Sequence, residues 1–137
     1  MLPATLISNL KNDTTLRSLL GATSPDNTPI QSSFMPAVMP DKLVVVSIVL
    51  GETFHLGFEN GVCSIDVYIK DSIDQPIKVL LDIVNRICEV LDLKGSQLQD
   101  VYTARVYRMR KVDFNQVYDN VSHFYVGSID WEYYVTR

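Results

Sequence analysis

A chain of 137 residues, 47% apolar and 20% charged, has the size of one domain and enough apolar side chains for a single core, so residues 1–137 read as one domain. The formal charge of −4 argues against nucleic-acid binding as the main task, and no apolar run approaches the length of a membrane span. Met1-Leu2-Pro3-Ala4 carries neither the basic stretch nor the long apolar stretch of a secretory signal.

In chain order, residues 4–20 read as a helix in two pieces. Leu6, Ile7 and Leu10 make one stripe; Asp13 caps a second piece carrying Leu16, Leu19 and Leu20; Gly21 supplies the stop. Residues 21–41 differ in kind, with Pro25, Pro29, Pro36 and Pro40 set among Ser, Thr, Asn and Asp as in an extended loop. Phe34, Met35, Val38 and Met39 are too apolar for a solvated linker. They favour a docking segment that orders on a partner, the alternative being a loop folded over its own core.

Residues 42–50 are nearly all apolar and β-branched, as in a central strand covered on both faces. Gly51 marks a bend, and Asn60-Gly61 is a two-residue hairpin signal, so residues 51–61 form a hairpin arm. Phe54, Leu56 and Phe58 line one side of that arm and project a row of apolar side chains away from the domain body, a candidate partner interface together with Phe34, Met35 and Met39. Residues 62–70 alternate, with Cys63, Ile65, Val67 and Ile69 facing inward.

Asp74 is the predicted N-cap of a helix over 77–91, with Pro76 in its first turn. Its core stripe is Ile77, Leu80, Leu81, Val84, Ile87, Cys88 and Leu91. Val79, Ile83 and Val90 widen the apolar arc beyond what one sheet face needs, which marks them as a candidate subunit contact. Residues 101–112 return as a strand with a basic side, Arg105, Arg108, Arg110 and Lys111. Asp119-Asn120 is a turn, and 121–136 form the last strand. The fold class expected is α+β: a four-stranded, mainly antiparallel sheet with a long helix and a short N-terminal helix pair on one face.

No chemistry emerges from the motifs. His55 and His123 lack a His or Cys at ligand spacing, Gly127-Ser128-Ile129 lacks the second glycine of a nucleophile elbow, and no phosphate-binding glycine loop is present. Asp130 and Glu132 read as a solvated strand face, and Cys63 and Cys88 as reduced core thiols in preference to a disulfide. Tyr102 and Tyr107 beside the basic strand resemble a small nucleic-acid platform. Pairing of that strand with Asp130 and Glu132, within the sheet or across a subunit boundary, is the favoured reading. No catalytic residue, metal or cofactor is expected.

The order of elements, ending in Asp130-Trp131-Glu132-Tyr133-Tyr134-Val135, is similar over residues 6–135 to the tail-completion, or tail-terminator, family of long-tailed bacteriophages and prophages. That resemblance implies a non-enzymatic virion protein made in the host cytoplasm. It would form a ring, a hexamer, that terminates the tail tube and joins it to the head connector or stopper protein. DNA would pass through the centre without specific binding. The alternative is a non-catalytic α+β binding module for a peptide or small ligand.

Overall fold

The computed structural model describes residues 2–32, 38–55, 58–91, 98–99 and 106–136. The chain opens with helices α1 (Leu2–Lys11) and α2 (Thr14–Leu19), divided at Asp13 as the sequence predicts. The Asp13 carboxylate accepts the Leu16 N–H at 2.8 Å and so caps α2. Gly21 takes a left-handed φ of +73°. The Ala22 and Gly21 N–H groups then close the last turn on the carbonyls of Arg17 and Ser18. Leu6, Leu10, Leu16 and Leu20 turn inward from this pair.

Residues 21–32 are not an extended docking segment. A 3₁₀ turn, Pro25–Asn27, is held by reciprocal capping between Ser24 and Asn27, and strand β1 (Ile30–Ser32) follows. Ile30 is buried in the core. Pro25 opens the 3₁₀ turn and Pro29 precedes β1, so the loop packs against its own core in this half. Phe34 and Met35 lie outside the described residues.

The remaining strands are β2 (Lys42–His55), β3 (Phe58–Lys70), β4 (Leu98–Gln99), β5 (Val106–Asp119) and β6 (Phe124–Thr136), with helix α3 (Pro76–Leu91) between β3 and β4. They form one six-stranded sheet in the order β1-β2-β3-β6-β5-β4. The expected four strands are the long antiparallel ones. Two short edge strands, β1 parallel to β2 and β4 antiparallel to β5, correct the count. Neither short strand carries enough alternation to be read from sequence.

Three boundaries differ from expectation. Asn60-Gly61 is not a turn: His55 pairs with Phe58 at the hairpin end, and Asn60 and Gly61 lie inside β3. The glycine serves packing, since a Cβ there would sit 2.5 Å from the Tyr133 hydroxyl oxygen. Gly51 does not end a strand either; β2 runs through it, with its ladder slipping between Ile48 and Leu50 and again between Leu50 and Thr53. The arm is also backed by β6, where Glu59 pairs with Val135 and Asn60 with Tyr134, so it continues the sheet instead of leaving the domain body.

Helix α3 begins after Gln75, whose carbonyl accepts the first helical bond from Val79 N; Asp74 is not the cap. The helix lies on β3 and β6, with α1 and α2 beside it. Its buried stripe is Leu80, Ile83, Val84, Ile87 and Leu91. Ile77 and Leu81 are 42% and 37% exposed, so the helix is rotated from the predicted stripe. On one flank of α3, Arg86 reaches Asp13 with a two-pronged ion pair, Nε to Oδ2 at 2.9 Å and Nη2 to Oδ1 at 2.7 Å, which ties the helix to the N-terminal pair.

Candidate assembly surfaces

Alternation along the strands divides the sheet into two faces. The inner face, with Val44, Val46, Cys63, Ile65, Val67, Ile69, Ile129 and Trp131, joins the helices in the core. The opposite face has three zones, set by the cross-strand register. At one end Val117, Val126, Tyr68 and Leu43 lie in a row, with Phe124 edge-on to Tyr68 at 6.5 Å. In the middle, Asp113 lies directly opposite Asp130, whose neighbour across β3 is Ser64. Asp66 is close by and accepts the Ser64 hydroxyl at 3.1 Å. Beyond this carboxylate zone Arg110 stands opposite Glu132, with Nε 3.7 Å from Oε2.

The basic strand is therefore only partly neutralised as expected. Arg110 pairs with Glu132, but Asp130 faces another carboxylate, Lys111 stands opposite Trp131, and Arg108 stands opposite Tyr134. The β-bulge between Lys111 and Asp113 shifts the register and prevents the predicted pairing. Arg105 and Tyr102 lie outside the described residues.

Two polar clusters tie elements together. Asp13 both caps α2 and holds Arg86, and Arg86 also donates to Glu89 at 2.9 Å. The hydrogen bonds from Arg86 keep the Asp13 carboxyl below its usual range. At the other end of the sheet, the Tyr118 hydroxyl donates to Asp71 at 2.7 Å, which raises the phenol to about 12. His123, at a left-handed φ of +63°, places Nδ1 3.6 Å from the same carboxylate. Burial pushes the Cys63 thiol up to about 12, with Asp130 adding to the effect, so this sulfur is no nucleophile. No disulfide joins Cys63 to Cys88. Among the described residues no three His, Cys, Asp or Glu side chains converge on a metal position, and no helix is long and apolar enough to cross a membrane.

The residues singled out in the sequence fall in different places. Ile83 is fully buried within the chain and is unavailable as a subunit contact; Val79 and Val90 are half-buried against the same core. Met39 is half-buried beside Val38, which is exposed. Phe54 and Phe58 lie in the paired ends of β2 and β3, while Leu56 lies outside the described residues. The apolar surface that sequence reasoning missed is elsewhere: Ile77 and Leu81 on α3, and Val112, Val117, Tyr118 and Val121 along β5 and its turn. The one signal that could have found it is the spacing of valines within the otherwise polar stretch 112–121. An open groove of about 380 Å³ lies between Pro29, Pro40, Lys42 and Ile73.

No protein-family model matches this sequence, and no curated protein matches it. Solved structures do share the fold. One is a chain from the virion of a native gene transfer agent particle, which superposes with a TM-score of 0.73 at 14% identity over 98% of this chain and 93% of that one.

Proposed function

We propose that this chain is a structural subunit of a phage-like virion. In this reading it assembles as a ring of six that terminates the tail tube, joins it to the head connector or stopper protein, and lets DNA pass through its centre. The observation that carries the proposal is the likeness in fold to a chain of the gene transfer agent virion, which spans nearly the whole of both chains. The described residues add support of a second kind: apolar side chains exposed along β5 and α3. The subunit is made in the host cytoplasm and resides in the virion, at the tail end nearest the head. Its work is assembly and not catalysis. The carboxylate zone of Asp66, Asp113 and Asp130 suits a passage wall, because it repels the phosphates of a moving duplex.

The test is capping of purified tail tubes. Electron microscopy of tubes mixed with the purified chain should show one end closed by a ring. Light scattering of the released ring should give six copies. Tubes that stay uncapped, beside a chain that remains monomeric, would remove this reading. They would favour a binding module that uses the groove at Pro29, Pro40, Lys42 and Ile73 for a peptide or small ligand.

A further inference from the structure

The sheet has two long edges that nothing in the described structure covers. On β5, β4 pairs only with Val106 and Tyr107, so among the described residues no strand pairs with the outer side of Arg108 to Asp119. On β2, β1 pairs only with Val44 to Val46, and none pairs with the outer side of Ser47 to His55. Both runs are longer than a typical strand of about five or six residues. Such edges invite a further strand unless something protects them.

We infer that copies of this chain join edge to edge, the free part of β2 in one copy adding antiparallel to the free part of β5 in the next. The inference rests on the ring reading above and names the contact that would build it.

Direction is the first argument. β3 is antiparallel to β2, β6 to β3, and β5 to β6, so β5 runs opposite to β2 within one chain. A second copy set alongside in the same orientation therefore offers β2 antiparallel to β5, and the contact is head-to-tail. Contacts of that kind build a ring when the rotation between copies closes.

Length and position give the second argument. β1 blocks one end of the β2 edge and β4 blocks the opposite end of the β5 edge. A second copy must therefore be staggered along the strand direction, which is the displacement a closing sheet requires.

Apolar character is the third. The sequence of the β2 edge, Ser47-Ile48-Val49-Leu50-Gly51-Glu52-Thr53-Phe54-His55, holds a single carboxylate and no lysine, arginine or proline to discourage pairing. Beside the β5 edge, α3 leaves Ile77 and Leu81 exposed. On the strand itself Phe114 is half-buried and Tyr118 is 45% exposed. Leu80, Val84 and Phe114 converge on Gly127 of β6, so Phe114 of β5 meets the side chains of α3 over that strand. The added strand would close that apolar corner. The basic residues and the bulge on β5 fall before Asp113, so the stretch from Asp113 to Asp119 keeps a regular ladder for a partner.

The test is disulfide trapping with a control for the face of the sheet. Ser47 pairs with Ser64 on the outer face, and Asn115 and Val117 pair with Ser128 and Val126 on that same face, whereas Gln116 pairs with Gly127 on the inner one. Ser47→Cys combined with Asn115→Cys or Val117→Cys should give, in the assembled ring, a ladder of cross-linked chains on a non-reducing gel; Ser47→Cys with Gln116→Cys should not. As a second measurement, Leu81→Glu should melt at the wild-type temperature yet lose self-association at least tenfold in midpoint concentration. A ring of normal mass in which neither outer-face pair links, or in which Leu81→Glu assembles normally, overturns the edge contact and leaves the ring standing. A chain that is monomeric both alone and with tail tubes overturns the ring and the contact together.

Discussion

Asp13 offers the sharpest test of how the N-terminal helices are held. Its carboxylate accepts the Leu16 N–H at 2.8 Å and two bonds from Arg86, at 2.9 and 2.7 Å. The two side chains are only 15% and 29% exposed, so solvent screens the pair incompletely. Asp13→Ala removes a cap worth about 1 kcal/mol and a charged pair worth about 1.5–3 kcal/mol, for a loss of roughly 2–4 kcal/mol. At about 4 °C per kcal/mol for a chain of this size, Tm should fall by roughly 8–16 °C. Asp13→Asn keeps a good cap and loses the charge, so it should fall about 6–12 °C. The pH dependence has a definite sign. The folded carboxyl titrates below its usual value, so its contribution is complete above the unfolded value of 3.8 and disappears as pH falls through the folded one. Urea unfolding of wild type and Asp13→Asn should therefore differ at pH 6 and converge as pH falls below 3.8 and through the lowered value of the folded carboxyl. If the two variants melt together at pH 6, the ion pair contributes nothing.

Gly61→Ala should destabilise by about 1–3 kcal/mol in thermal melts, because the new methyl meets the Tyr133 ring, itself buried and edge-on to Tyr107 at 6.3 Å; a neutral result would mean that the ring has room to move. Ile83→Asp should abolish the folded monomer by circular dichroism, since it puts a carboxylate at a fully buried position, and a folded but unassembled product would restore Ile83 as a subunit contact. Asp113→Asn should raise stability by about 0.2–1 kcal/mol by removing the charge opposite Asp130, and no gain in chemical denaturation would show that the pair is already screened. With Asp66→Asn and Asp130→Asn added, assembled rings should acquire salt-sensitive affinity for duplex DNA by filter binding; unchanged affinity would take this face away from the passage.

Much of the fold was legible where the signal is local. Asp13, Gly21 and the turn at Asp119 are set by neighbours within a few residues, and each acts where the sequence placed it. The inward alternation of Cys63, Ile65, Val67 and Ile69 also holds, because one buried face fixes a period of two. What failed depends on distant partners. Asn60-Gly61 has the composition of a turn, but the glycine answers to Tyr133, more than seventy residues away in sequence. The helix pattern left two arcs apolar, and packing on β3, β6 and α2 buries Ile83 and leaves Leu81 exposed. Of the candidate interface, Ile77 and Leu81 read as core and are exposed, because the sequence does not fix which arc of α3 meets the sheet. Free strand edges leave no mark in a sequence, since a strand reads the same whether one side or both are paired.

The carboxylates on the helix-free face bear on which way the subunit turns in an assembly. Like charges directly opposite each other, as Asp113 and Asp130 are, weaken a sheet by roughly 0.2–1 kcal/mol, and a lone α+β domain gains nothing from them. Around a central passage the same groups act together. Repulsion between them and a duplex fades within about 8–10 Å at physiological salt, so it keeps a strand of DNA off the wall without opposing its travel along the axis. Arg110 does not cancel this, because its charge is held toward Glu132 on the far side of the bulge. Arg108 and Arg110 and the carboxylate zone thus occupy different levels of the same face. In the ring proposed above, with the two strand edges meeting neighbouring copies, the carboxylates of this face would be the groups turned toward the axis.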